Sequence, residues 1–151
     1  MKKLIINNKH MSKSKLKLCP GLNDTAMTLH KSIKEKGFYD NPREIGTLLM
    51  LCVSELAEAM EADRKDRKAD LDSFIGFNNM GFGKDNQTYL KEDAIPSFEK
   101  HIKDTFEDEL ADTMIRILDL CAYRGIDIET HINIKTEYNA TRSQRHGGKK
   151  Y

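Results

Sequence analysis

Asn41-Pro42-Arg43-Glu44-Ile45-Gly46-Thr47-Leu48-Leu49-Met50-Leu51-Cys52-Val53-Ser54-Glu55-Leu56-Ala57-Glu58-Ala59-Met60 is the stretch that decides the fold class. Its apolar residues Ile45, Leu48, Leu49, Cys52, Val53, Leu56, Ala59 and Met60 follow the 3.6-residue period of a helix and not the two-residue period of a strand. The opening carries helix-start chemistry: Asn41 can cap, Pro42 takes the first helical position, and Glu44 lies three residues after the cap. A second strong pattern predicts a helix from about Ser97 to Tyr123. Phe106, Leu110, Met114, Ile117, Leu118 and Cys121 line one side of it, and Gly125 is a natural stop.

Weaker signals on either side complete the set. A helix is expected from about Asp24 to Lys36, capped by Asn23 or Asp24 and stopped at Gly37. Another is expected from the cap Asp127 through about Arg142. Neither an internal repeat nor a convincing strand is legible, so the expected architecture is all-α, with an antiparallel four-helix bundle core. Residues 1–20 read as a basic, flexible arm ahead of a helical domain spanning 21–151, whose last residues, 143–151, form a basic tail. Between the two strong helices the pattern dissolves, and residues 64–96 read as a long insertion loop.

With 151 residues, 38% of them hydrophobic and 32% charged, the chain suits one domain. Its 25 basic and 24 acidic residues nearly cancel, which argues against a nucleic-acid partner held by bulk charge. Cys19, Cys52 and Cys121 have neither zinc spacing nor the even count of a disulfide framework. The apolar run Leu4-Ile5-Ile6 is far too short for a signal peptide or a membrane span, so a cytoplasmic protein with no membrane partner is expected.

The acids are not scattered. Glu55-Leu-Ala-Glu58 lies in one strong helix and Glu109-Leu-Ala-Asp112 in the other. Carboxylates three residues apart project from one face, about 60° from each other. On each helix the pair is expected just past the same edge of its apolar stripe, centred near Leu56 on the first and near Leu110 and Ile117 on the second. If the stripes pack together, four carboxylates converge at one rim. Four anions that close repel strongly, and an all-oxygen ligand set suits Mg²⁺ or Mn²⁺. Acids at the edge of an amphipathic helix also serve simply as a solvated face. In the last helix Lys135, Asn139 and Arg142 recur at helical spacing, and Lys149 and Lys150 follow in the tail; together they could meet phosphates, or form a mobile basic end.

With these motifs in hand, the chain resembles the MazG-like all-α nucleoside triphosphate pyrophosphohydrolases, a superfamily that includes dimeric dUTPases and dCTP pyrophosphatases. The resemblance rests on Glu55/Glu58, on Glu109/Asp112 and on Lys135-Thr-Glu-Tyr-Asn139-Ala-Thr-Arg142, followed by His146-Gly-Gly-Lys-Lys-Tyr. It implies Mg²⁺ held by Glu55, Glu58, Glu109 and Asp112, and hydrolysis of a nucleoside triphosphate to monophosphate and pyrophosphate. It also implies phosphate or sugar binding by Asn139, Arg142, Lys149 or Lys150, with Lys135 a further candidate, and assembly as a homodimer or homotetramer. The chain departs from the family's pattern at Ser54, where many members carry a further Glu, so Glu58 or Glu61 would have to orient the attacking water. It also departs in the gap of about 50 residues between Glu58 and Glu109. Phe74, Phe77, Phe82 and Tyr89 in that gap could form a lid over a nucleotide or a small satellite cluster.

Other readings stay open. A di-iron carboxylate protein would place a His three residues after a Glu, which His101 and His131 do not satisfy. A member that binds nucleotides without turning them over, or a helical interaction module solubilised by its acids, accounts for the same residues.

Overall fold

The computed structural model describes residues 21–78 and 94–142. Among them every regular element is a helix and none is a strand, as expected, in the order α1 Leu22–Glu35, α2 Ile45–Arg64, α3 Leu71–Asn78, α4 Ile95–His101, α5 Phe106–Tyr123 and α6 Ile128–Ala140. Central to the arrangement is α5, which packs against α2 on one side and α1 on the other; α6 docks on α1, and α3 on α4. The 1–20 arm and the 143–151 tail, with Lys149 and Lys150, lie outside the described residues. No described helix is long and apolar enough to cross a membrane.

Helix ends differ from the sequence reading wherever a long-range bond overrides a local cap. Asn23 and Asp24 lie inside α1, whose first residue is Leu22. The open amides of Gly21 and Asn23 donate to the two carboxylate oxygens of Glu129, at 3.1 Å each, from the start of α6. A capping carboxylate 108 residues away does what a neighbouring side chain was expected to do. Asp127 caps α6 as anticipated, accepting from the Thr130 amide at 3.0 Å. It also takes a 2.6 Å bond from the Asn23 side chain.

Asn41 and Pro42 do not open α2. Glu44 stands at its N-cap in extended conformation, without a side-chain bond, and the first helical residue is Ile45. The residues before it are drawn elsewhere: Gly37 turns the chain at φ 82, and the Tyr39 hydroxyl reaches over α5 to donate to Asp119 at 2.6 Å. A side chain at position 37 would be strained at that φ, and its Cβ would stand 3.0 Å from the Asp40 carboxylate.

The helix expected from Ser97 to Tyr123 is two helices. Asp104 adopts φ 56 and Thr105 is extended, accepting the Asp108 amide as the N-cap of α5. The break is where the connection after α2 crosses: the Phe106 amide donates to the Arg67 carbonyl at 3.0 Å, and the Asp70 amide to the His101 carbonyl at 2.9 Å. The segment expected as a loop over 64–96 contains α3 and the first two residues of α4. Phe74 meets Phe98 edge to face, with ring centroids 6.1 Å apart, which ties α3 to α4. Phe82, Tyr89 and the side chain of Phe77 fall outside the described residues.

The buried face of the two strong helices overlaps the expected stripe only in part: on α2 it is turned by roughly 80° toward Glu55, and on α5, packed between α2 and α1, it extends beyond the stripe on both sides. On α2 it runs Leu48, Cys52, Glu55, Ala59 and Ala62; on α5 it includes Glu109, Thr113, Leu118, Asp119 and Cys121. Leu49, Val53, Leu56 and Met60 of α2 are instead 49–51% exposed, as is Met114 of α5 at 49%. Small side chains at 52, 59, 62, 113 and 121 explain the choice, because they let two helix backbones approach closely where Leu and Met would hold them apart. The cost is a thin core of mostly Ala, Cys and Leu, and among the described residues no large side chain is fully buried.

Candidate metal centre

Two of the four acids lie in the α2–α5 seam instead of at its rim. Glu55 on α2 and Glu109 on α5 are each only 6% exposed, while Asp112, one turn along α5, opens to solvent. One carboxylate oxygen from each of the three lies within 4.8 Å of the others. Glu58 stands beside the group on the exposed side of α2, and its charge acts on both Glu109 and Asp112.

Within this cluster Glu109 is the most exposed to conflict. Among the described residues its carboxylate has no hydrogen-bond donor and no ion pair, although it is more than nine-tenths buried. Burial first, and then the charges of Glu58, Glu55, Asp108 and Asp112, push its pKa up to about 7. Asp112 is raised as well, by burial and then by Asp108 and Glu55, with Arg116 opposing. A carboxylate placed this way calls for a proton or a cation. Three convergent oxygen ligands, one of them open to solvent, fit a hard divalent ion such as Mg²⁺ or Mn²⁺ better than a soft metal.

Arg116 supplies the one paired positive charge at the cluster among the described residues. Its Nε and Nη2 both meet the same oxygen, Oε1, of Glu55 at 2.5 Å. Sequence reasoning passed over this residue. The available signal was a lone cation four residues after Asp112, inside the apolar run Met114-Ile115-Arg116-Ile117-Leu118. Asp119 was missed in the same way. It is buried on the other side of α5, where His30 Nδ1 lies 2.7 Å from one of its oxygens and the Tyr39 hydroxyl 2.6 Å from the other. Tyr123 closes this group with its ring 4.8 Å from that of Tyr39. Burial, and then the bond to Asp119, drive the Tyr39 hydroxyl far above the ordinary phenol range.

The remaining candidates lie apart from the cluster. Glu61 is exposed on α2 and paired with Lys65 at 3.0 Å and Arg64 at 3.7 Å, contacts that hold its carboxyl below the usual range. Ser54 turns its hydroxyl back to the Leu51 carbonyl at 2.8 Å. Lys135, Asn139 and Arg142 are exposed on and just after α6, which packs on α1, and the Lys135 ammonium sits 5.1 Å above the Tyr138 ring. A cavity of about 260 Å³ adjoins the cluster, with Lys36, Phe38, Arg43, Asp112, Arg116 and Asp119 on its wall.

Neither a family model, nor a curated protein, nor a solved structure matches the chain.

Proposed function

We propose that the chain hydrolyses a nucleoside triphosphate to the monophosphate and pyrophosphate, with Mg²⁺ or Mn²⁺ held by Glu55, Glu109 and Asp112 and assisted by Glu58. The observation that carries this reading is the buried, donor-free carboxylate of Glu109 beside two further convergent acids. An acid that served only solubility would face water, where its charge is hydrated at no cost.

A divalent ion bound there would neutralise phosphate charge and lower the pKa of a bound water. The chain's own residues have separable tasks. Glu55 and Glu109 are fixed by the seam and hold their oxygens in place. Asp112, open to solvent at the cavity, stands where a triphosphate would arrive. Glu58 is the better candidate than Glu61 for accepting the proton of an attacking water, since it borders the cluster, whereas Glu61 is committed to Lys65 and Arg64. Lys135, Asn139 and Arg142, with Lys149 and Lys150, are proposed to hold phosphates or sugar.

A homodimer, or a homotetramer built from it, is part of the proposal. Leu49, Val53, Leu56 and Met60 repeat on the outer face of α2 with spacings of four, three and four, and Leu110, Met114 and Ile117 do so on α5. That is coiled-coil spacing on two adjacent helices. A second copy seated there would complete a four-helix bundle from two α2–α5 pairs and cover a face too apolar to be left to water. Light scattering should give a multiple of the 17.3 kDa chain mass, and Leu56→Glu should shift it toward a single chain.

The deciding assay is pyrophosphate release from a panel of canonical and modified nucleoside triphosphates with Mg²⁺, with Mn²⁺ and with chelator. Release that depends on metal supports the proposal. No release with any pairing would leave a binding or interaction module as the better account, even if the metal binds.

A further inference from the structure

Three cations and two acids share the wall of one largely apolar cavity. Lys36, Arg43 and Arg116 all stand on the wall of the 260 Å³ space between the α1–α2 connection and the α2–α5 seam, and Asp112 marks where it reaches the carboxylates. The other acid on the wall, Asp119, already has both oxygens engaged by His30 and Tyr39. With Asp119 spoken for and Arg116 paired with Glu55, Lys36 and Arg43 are the cations that an anionic group entering this largely apolar space would meet first, and the volume lies below the roughly 300–1,000 Å³ of clefts that hold whole drug-sized ligands.

Arg116 belongs to this cavity and to the carboxylate cluster at once. Its side chain is 39% exposed, yet it reaches a Glu55 side chain that is 8% exposed. Both contacting nitrogens converge on one oxygen. The parallel two-oxygen fork that makes arginine–phosphate pairs strong is therefore not made here. A divalent cation among Glu55, Glu109 and Asp112 would also stand beside the guanidinium, and like charges that close oppose each other.

We infer that Arg116 is an exchangeable latch on Glu55: a di- or triphosphate entering the cavity takes its guanidinium and leaves Glu55 free to share a divalent cation with Glu109 and Asp112. This rests on the metal centre proposed above. It assigns the cavity, with Lys36 and Arg43 beside Arg116, as the polyphosphate site, and leaves the sugar rather than the phosphates to Lys135, Asn139, Arg142, Lys149 and Lys150. Cation and polyanion then strengthen each other's binding, because each removes an obstacle to the other, and that coupling is reciprocal.

Calorimetric titration with Mn²⁺ tests the latch on the wild type and on Arg116→Gln, each first shown to be folded by thermal melting. Without any anion, Arg116→Gln should bind Mn²⁺ at least about five-fold more tightly than wild type. Sulfate, a phosphate mimic that barely chelates Mn²⁺, should tighten Mn²⁺ binding to the wild type at matched ionic strength and leave the variant unchanged. Equal or weaker Mn²⁺ binding by folded Arg116→Gln would overturn the latch and make Arg116 a mere support for Glu55. If the variant does not fold, the wild type still decides, and no effect of sulfate overturns the inference. Absence of any saturable Mn²⁺ binding to the wild type would remove the metal centre itself, whereas binding indifferent to sulfate and to Arg116 would remove only the latch.

Discussion

Glu109 and Asp119 lie ten residues apart on the same helix, each 6–7% exposed, and their surroundings are opposite. Asp119 faces α1 and the connection after it, where His30 and Tyr39 satisfy both of its oxygens. Glu109 faces α2 across a seam whose other ionisable groups are mostly acids. Burial alone therefore does not identify a functional carboxylate. Asp119 is spent on holding three segments together, and Glu109 is held in a position that a proton or a cation relieves. A satisfied buried charge is a structural tie; an unsatisfied one calls for a proton or a cation.

Substitution breaks the comparison most forcefully through activity. Glu109→Gln keeps the shape and removes the charge. It should lower metal-dependent pyrophosphate release by about a thousand-fold or more, roughly 4 kcal/mol in the barrier. The same variant should melt no lower than wild type in chelator, because repulsion is relieved. Asp119→Ala should do the reverse, costing about 3 kcal/mol of stability by stranding two donors. A melting curve for Asp119→Ala that matches wild type would make the tie dispensable.

Acidity sharpens the same contrast. In the native, metal-free protein Glu109 keeps a proton up to about pH 7, whereas in the unfolded chain it gives that proton up near the ordinary 4.5. Metal-free stability should therefore fall as pH rises from about 4.5 to about 7 and level off above, by on the order of 2 kcal/mol. Millimolar Mg²⁺ should remove that decline, since the cation takes over the role of the proton. Chemical denaturation across this window, with and without Mg²⁺, measures it, and identical profiles would leave the cluster without a cation. The smallest expected effect is that of Tyr39→Phe, about 1 kcal/mol, because Asp119 keeps His30.

The helix content was legible because Leu48, Cys52, Val53 and Leu56 on α2 and Leu110, Met114 and Ile117 on α5 carry an unambiguous period. Which side of each helix turns inward was not. Periodicity marks an apolar face, and here the helices meet along the edge of the stripe that carries the small side chains Cys52, Ala59 and Cys121, while Leu49, Leu56, Met60 and Met114 stay half exposed. Glu55 and Glu109 stand out in the sequence as members of two like motifs, expected at a rim, and they lie in the seam. The split at Asp104 and the cap from Glu129 escaped because both depend on backbone and side-chain bonds between distant segments. Arg116 and Asp119 were readable only as charges interrupting an apolar run, a signal that says a partner exists without saying which.

The Glu129 bond has a consequence for synthesis. Helix α1 is complete in sequence after its fourteenth residue, but the carboxylate that closes its first turn is made 108 residues later than Gly21. Until α6 leaves the ribosome, the opening amides of α1 have only water, and its first turn is free to fray. The earliest helix of the described chain is thus among the last to be finished, and a ribosome stalled before residue 129 would hold a chain whose beginning is still waiting for its end.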